Sequence, residues 1–216
     1  MKSPSEYIYD LRSDYGAENM RTSTVKHSPF EQFEIWLEEA IAANLKEPNA
    51  MVLSTAGSDK KPSARIVLLR GFDRKGFTFF TNYDSRKGEE IAENPQASLL
   101  FFWAELERQV RIEGVVSKTS RRISKEYFAS RPRASQIGAW ASAQSRVISN
   151  RRQLEEKIAE SEKRFAGKDV ECPEFWGGYI VKPDMFEFWQ GRESRLHDRL
   201  RYTKKGKNWN IERLSP

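Results

Sequence analysis

The stretch AMVLSTAGSDKKPSARIVLLRGFDRKGFTFFTN, residues 50–82, decides the fold class. It holds three short apolar runs, at 50–56, 64–70 and 77–82, parted by Gly57-Ser58-Asp59 and by Asp73-Arg74-Lys75-Gly76. Runs this short, rich in β-branched and aromatic residues and bounded by Gly, Asp and Ser, predict antiparallel strands joined by hairpin turns. The same pattern resumes downstream at 97–104, 109–118, 178–182, 185–190, 197–203 and 208–214, with a turn at 204–207 joining the last pair. In 109–118, Gln109, Arg111 and Glu113 alternate with Val110 and Ile112, as a strand with one buried face requires.

Helical signals interrupt the strands. Ser28 is placed to cap a helix, Pro29 suits its first turn and Glu31 completes a capping box. Phe30, Phe33, Trp36, Leu37, Ala40 and Ile41 then recur at helical spacing and make a buried stripe. A short helix follows Ser85, and residues 120–166 are helical in character, broken at Pro132 and near Ser149-Asn150. Strands linked by short turns, with helices inserted, predict an α+β domain built on an antiparallel sheet or barrel. Residues 1–27 are polar and charged and read as a loosely held arm ahead of a single domain spanning 28–216.

Bulk properties bound the function without naming it. A chain of 216 residues with net charge +6 suits a globular binder of nucleic acid, of an acidic membrane surface or of small phosphorylated ligands. Charge alone does not choose among these. Cys172 is the single cysteine, so no intrachain disulfide forms and a reducing compartment fits. Met1 to Ser5 lead into no apolar signal core, and the best apolar run, 99–104, is too short to span a bilayer. A cytoplasmic protein with no membrane partner is expected. With only His27 and His197 beside Cys172, no Cys/His metal site is expected.

Three clusters concentrate positive charge. In Arg195-Leu196-His197-Asp198-Arg199-Leu200-Arg201, an extended chain projects Arg195, His197, Arg199 and Arg201 from one face. Four such groups repel unless an anion lies opposite; the segment is either a solvated edge strand or a ligand site. Arg86 and Lys87 stand in the first turn of the helix after Ser85, where they oppose the helix dipole unless a phosphate binds there. Tyr127, Arg131 and Ser135 are spaced by four, and Pro132 starts a new helix capped by Ser130 or Arg131. Arg65 and Arg70 bracket an apolar run at an odd separation, so they share a ligand only through a bulge or a strand end.

On these residues the chain resembles the pyridoxamine 5′-phosphate oxidases. The resemblance runs from about residue 11 to 216 and rests on Arg65-Ile66-Val67-Leu68-Leu69-Arg70, on Thr81-Asn82 with Ser85-Arg86-Lys87, and on Glu107-Arg108-Gln109-Val110. Ser130-Arg131-Pro132, Ser135-Gln136-Ile137-Gly138-Ala139, Phe175-Trp176-Gly177-Gly178, Glu187-Phe188-Trp189-Gln190-Gly191, Arg195-Leu196-His197-Asp198-Arg199 and the closing Glu212-Arg213-Leu214-Ser215-Pro216 extend it. It implies an FMN-binding split β-barrel of Greek-key type with flanking helices, in keeping with the lack of a G-x-G-x-x-G loop. It also implies a homodimer with two active sites at the interface.

Carried over by position, the resemblance implies FMN contacts from Arg65, Ile66, Val67, Leu68, Leu69 and Arg70, from Phe80 and Thr81, from Arg86 and Lys87, and from Gln109. The partner subunit is expected to add Gln144, Ser145, Trp189 and Arg199. The substrate's phosphate falls to Arg70, Tyr127, Arg131 and Ser135; Arg195 and His197 stand over its pyridine ring, with Arg195 orienting it, and Arg12 and Tyr15 help cover the site. Arg70 stands where the family commonly has lysine and Phe80 where it has tyrosine. The implied reaction oxidises pyridoxamine or pyridoxine 5′-phosphate to pyridoxal 5′-phosphate, with dioxygen as acceptor and hydrogen peroxide released. A split-barrel FMN protein acting on another substrate is the first alternative. A non-catalytic basic nucleic-acid-binding module is the second, although no nucleic-acid motif is recognised.

Overall fold

Alternate burial in β1 (Ala50–Ala56) places Met51, Leu53 and Thr55 on one face, and the first two are among the most enclosed side chains of the molecule. The computed structural model describes Gly16 and residues 20–216. The expected arm therefore lies largely outside the described residues, Arg12 and Tyr15 included. The described residues divide into two compact units, one of residues 49–101 and 112–184, the other of the described residues up to 48 with 102–111 and 185–216.

The first, central unit contains β1, β2 (Pro62–Leu68), β3 (Gly71–Asp73) and β4 (Gly76–Asn82), with parts of β5 (Gln96–Trp103), β6 (Arg108–Lys118) and β7 (Trp176–Gln190). Their order in the sheet is β2-β1-β5-β6-β7-β4-β3. The pairings β1–β2, β1–β5, β3–β4 and β4–β7 are antiparallel. Leu53, Phe77, Phe79, Leu99, Phe101, Ile112 and Val181 are fully buried. Four helices belong to this unit: α2 (Arg86–Glu93), α3 (Arg121–Ser130), α4 (Arg133–Ala141) and α5 (Arg151–Arg164). Phe128, Ile137, Phe165, Val170 and Trp176 form a second core beneath the helices.

The terminal unit packs α1 (Pro29–Ala42) on the antiparallel strands β7, β8 (Asp198–Lys205) and β9 (Asn208–Leu214). Ser28 caps α1, with Pro29 in its first turn. The helix stripe meets the sheet through aromatic edges: Phe30 on Phe186 and Trp36 on Phe188, each with ring centroids 5.2 Å apart.

The α+β antiparallel architecture agrees with the sequence, and the departures are local. The strand expected at 64–70 ends at Leu68, because the amides of Leu69 and Arg70 turn to the carbonyls of Asn49 and Thr78. The runs at 178–182 and 185–190 form one strand across Pro183. The proline is tolerated there because β7 pairs with β4 up to Val181 and with β8 from Met185, so it falls between the two partners. The break at Pro132 is real, with α3 ending at Ser130, and Asn150 caps α5 by accepting from the amide of Gln153 at 3.0 Å.

Gly88 fixes how α2 sits, since a Cβ there would stand 1.9 Å from the backbone oxygen of Tyr83. Gly88→Ala is expected to cost about 1–3 kcal/mol, the range for forced overpacking. Thermal unfolding checks this; an unchanged midpoint would show that α2 shifts freely.

Candidate active site

Leu53 and Thr55 of β1 stand opposite Arg65 and Ser63 of β2, so these four side chains share one sheet face. The helix α2 brings Glu90 to that face. Glu90 Oε2 accepts from Thr55 Oγ1 at 2.5 Å, from Ser63 Oγ at 2.6 Å and from Arg65 Nη2 at 3.1 Å. Its Oε1 accepts from Arg86 Nε at 2.8 Å. Arg65 Nη1 also donates to Thr55 Oγ1 at 2.5 Å and to the Leu53 carbonyl at 3.2 Å, and Nη2 donates to Ser63 Oγ. Burial pushes the Glu90 carboxyl up, but the four hydrogen bonds outweigh it and hold the group down at about 2.

Beside this knot lies the buried Lys87. Its Nζ donates to Gln144 Oε1 at 3.1 Å, to Thr81 Oγ1 at 3.2 Å and to Ser85 Oγ at 3.3 Å. Burial and then the charge of Arg65 lower it to about 8, against the opposing pull of Glu90. Ser85 occupies the N-cap position of α2 but makes no side-chain cap; its hydroxyl donates to the Asn82 carbonyl at 2.7 Å.

Arg65, Lys87, Thr81 and Gln144 line a cavity of about 610 Å³, within the range of small-molecule sites. Ile66, Val67, Leu68, Arg70, Phe80, Tyr127, Arg131 and Ser135 line it as well. Arg65 and Arg70 thus reach one cavity by strand-end geometry, Arg70 lying beyond the end of β2. Phe80, Tyr127 and Trp176 stack along the wall, with Phe80 and Tyr127 centroids 3.9 Å apart. Arg131, the C-cap of α3, lays its guanidinium 4.6 Å from the Trp176 ring centre. Its Nη1 is buried and has no hydrogen-bond partner among the described residues. Burial lowers its pKa, Tyr127 opposes that shift, and Arg70 adds to it.

Among the other expected contacts, Leu69 is buried, and Arg86 is largely exposed apart from its bond to Glu90. Ser145 follows Gln144 with a φ of 70°. Sequence reasoning missed Glu90, although its i, i+4 spacing from Arg86 was a usable signal. It also missed Gln136, whose buried amide donates to the carbonyls of Phe128, Ala129 and Arg131 and so fixes the turn that carries Arg131.

The terminal unit holds a second group. Gln109 is half-buried on β6, and the rings of Trp189 and His197 lie 4.6 Å apart. The amide of Arg192 donates to His197 Nδ1 at 3.1 Å, which assigns the proton of the neutral ring to Nε2. Burial and then Arg195 lower the His197 pKa. The expected extended run from Arg195 to Arg201 needs correction. Residues 193–195 form a 3-10 turn, Ser194 and Arg195 have φ of 55° and 60°, and β8 starts only at Asp198. The anions facing its arginines are internal: Glu187 accepts from Arg199 at 2.8 Å and Arg111 at 2.7 Å, and Glu212 accepts from Arg201 at 2.9 Å.

Among the described residues no group of three or more His, Cys, Asp or Glu is placed to hold a metal ion, and no helix is long and apolar enough to cross a membrane.

Comparison with known proteins agrees with this geometry. The family model described as pyridoxamine 5′-phosphate oxidase matches residues 37–165, and one described as a pyridoxine 5′-phosphate oxidase C-terminal dimerisation region matches 176–216. The chain is 54% identical to the pyridoxine/pyridoxamine 5′-phosphate oxidase of Rubrobacter xylanophilus, over 95% of each chain. It is 57% identical to the protein so named in Paraburkholderia phymatum, over 97% of this chain and 99% of that one. Among solved structures, PhzG from Burkholderia lata 383, in complex with tetrahydrophenazine-1-carboxylic acid, has a TM-score of 0.86 at 30% identity, covering 93% of this chain and 99% of that one. A pyridoxamine 5′-phosphate oxidase-related FMN-binding protein from Nostoc punctiforme PCC 73102 has a TM-score of 0.69 at 15% identity, covering 89% and 100%, a likeness of fold alone. The fold is thus that of the split β-barrels, as expected.

Lys87 gives the site a pH signature. In the folded protein it loses its proton near 8, whereas an unhindered lysine keeps it to about 10.4. Between those values the unfolded chain binds the extra proton, so this group adds stability as pH rises, while its attraction for an anion is lost. Inorganic phosphate is expected to bind progressively more weakly above about pH 8, and Lys87→Met to flatten that decline. Titration calorimetry across this range checks it; an unchanged slope in the variant would assign the titration to another group.

Proposed function

Because the chain belongs to the pyridoxamine 5′-phosphate oxidase family, we propose that it oxidises pyridoxamine or pyridoxine 5′-phosphate to pyridoxal 5′-phosphate, using FMN, in the cytoplasm and as a homodimer. The observation that carries the substrate reading is Arg131. Its guanidinium belongs to the wall of a cavity shared with Arg70, Tyr127 and Ser135 and has no ion-pair partner among the described residues, an arrangement that suits an anion. The matched dimerisation region supports the homodimer, and the single cysteine fits a reducing compartment.

The residues present also fit the cofactor. Arg65 and the buried Lys87 supply fixed positive charge for its phosphate, Arg86 adds to it from the helix edge, and 65–70 with Phe80 and Thr81 supply the cavity wall. Gln109, Gln144, Ser145, Trp189 and Arg199 complete the proposed set; Gln144 lines the cavity of its own chain, against the expectation that the partner supplies it, so the partner's proposed share is Ser145, Trp189 and Arg199. Held by these residues, FMN would supply the two-electron acceptor for oxidation at the substrate's exocyclic carbon, with dioxygen as the final oxidant and hydrogen peroxide as its product. The chain's own groups bind and orient. Each hydrogen bond to a charged group contributes about 1.5–3 kcal/mol, so Arg70 and Arg131 with the hydroxyls of Tyr127 and Ser135 suffice to anchor a phosphate. Anchoring far from the reacting carbon restricts the pyridine to one orientation and lowers the barrier. Arg195 orients the ring and stabilises charge near that carbon, and His197 offers its Nε2 proton to the substrate. The alcohol gives the aldehyde directly; the amine gives an imine that takes up water and releases ammonia.

Structural likeness to PhzG favours a second reading, a larger aromatic acid as substrate. The full-length relatives at 54% and 57% identity weigh against it. Anaerobic addition of pyridoxamine 5′-phosphate to the FMN-loaded protein is expected to bleach the flavin absorbance, with recovery on admitting oxygen and formation of pyridoxal 5′-phosphate. Bound flavin that stays oxidised would rule out this substrate. Arg131→Ala is expected to raise KM at least about tenfold, the loss of one charged hydrogen bond. An unchanged KM would remove Arg131 from the phosphate site.

A further inference from the structure

We propose that Glu90 is a positioning residue that sets Arg65 and Arg86 for the phosphate of the cofactor, an inference that rests on the cavity being the FMN site. Glu90 is not itself a ligand: its side chain is 11% exposed, and its two oxygens are occupied by four protein donors. What it does is join three elements. One oxygen gathers Thr55 of β1 with Ser63 and Arg65 of β2, and the other takes Arg86 of its own helix.

The alternatives open to Arg65 show why this matters. A guanidinium on a four-bond stem has many rotamers, and each left open is lost entropy when an anion binds. Here Thr55 and Ser63 each accept from Arg65 and donate to Glu90, so the carboxylate and both hydroxyls clamp Nη1 and Nη2 together. The clamp leaves Arg65 on the cavity wall beside Lys87. Arg86 is otherwise a largely exposed side chain free to sample solvent, and its single bond to Glu90 holds it near the first turn of α2. The same carboxylate sets the charge of the cradle, its hydrogen bonds holding it ionised at neutral pH.

The length of Glu90 is the testable quantity. Aspartate keeps the charge but is one methylene shorter and cannot span from the Thr55–Ser63–Arg65 cluster to Arg86. Glutamine keeps the reach and one oxygen acceptor for that cluster but loses the charge. The experiment measures apo-protein affinity for FMN and for riboflavin, which lacks the phosphate, together with thermal unfolding.

Wild type is expected to prefer FMN strongly. Glu90→Asp should bind FMN about tenfold more weakly, the loss of one well-placed charged contact, with riboflavin affinity unchanged. Glu90→Gln, which keeps the cluster but whose amide nitrogen cannot accept from Arg86, should weaken FMN less than Glu90→Asp does, with riboflavin affinity again unchanged. A wild-type FMN/riboflavin ratio in Glu90→Asp would overturn the proposal, as would equal weakening of both ligands or an aspartate variant too unstable to fold, which would make Glu90 a scaffold residue. If wild type itself binds riboflavin as tightly as FMN, the reading of the cavity as the cofactor's phosphate site fails instead.

Discussion

Keeping several guanidinium and ammonium groups close together without letting them repel the fold apart is the constraint on which the site depends. The protein meets it in three ways. Arg65 and Arg86 share the buried carboxylate of Glu90. Arg111 and Arg199 share that of Glu187, which is 3% exposed. Arg131 has no carboxylate partner among the described ion pairs and rests on the faces of Trp176 and Phe128. Charge-assisted hydrogen bonds contribute about 1.5–3 kcal/mol each, against roughly 0.5–2 for a cation on a ring. The first two sets are therefore paired with carboxylates, whereas Arg131 is not. That difference, rather than proximity alone, separates Arg70 and Arg131, which line the cavity with no ion-pair partner among the described residues, from the cations already paired with carboxylates.

Glu90 carries a consequence on the acid side: as for the buried lysine, stability rises with pH through its window, but at neutral pH its contribution is favourable where the lysine's is not. Glu90 is held at about 2, below its ordinary value, so its contribution is present above the unfolded carboxyl range and is lost as pH falls toward the folded value. Lys87 costs stability while charged and is relieved only on the alkaline side. A neutral pH thus keeps Glu90 ionised and Lys87 mostly protonated, which is the combination an anion-binding cradle needs. The stability cost of burying Lys87 is accepted in return for a charge held in a fixed place.

Much of this was legible in the sequence where the signal was local. Ser28-Pro29 marked the start of α1, Pro132 divided α3 from α4, and alternation in 109–118 identified β6. The cavity residues Arg65, Lys87, Tyr127, Arg131 and Ser135 were also named, and the structure brings them together. What escaped depends on long-range pairing or on unusual backbone. Glu90 meets Arg65 across 25 residues, and Glu187 meets Arg111 across 76, which no local spacing reveals. The segment from Arg195 to His197 misled because Ser194 and Arg195 adopt left-handed conformations that non-glycine residues seldom take, so a run reading as strand becomes a turn.

That turn bears on what the fold can decide about chemistry. A split barrel with a cationic cavity is common ground for different substrates, so the architecture identifies a class of binder and leaves the reaction to side chains. The strained backbone at Ser194 and Arg195 costs of order 1–3 kcal/mol at each residue, and hairpin geometry does not require it, because β8 begins three residues later. Its effect is to remove Arg195 and His197 from the regular ladder that pairs Arg199 and Arg201 with carboxylates. Had the strand started at Arg195, those two side chains would have joined the same row of internally neutralised charges. Left outside it, Arg195 stays exposed and His197 accepts from the Arg192 amide beside Trp189, a pair suited to meet a ligand rather than to hold the sheet together.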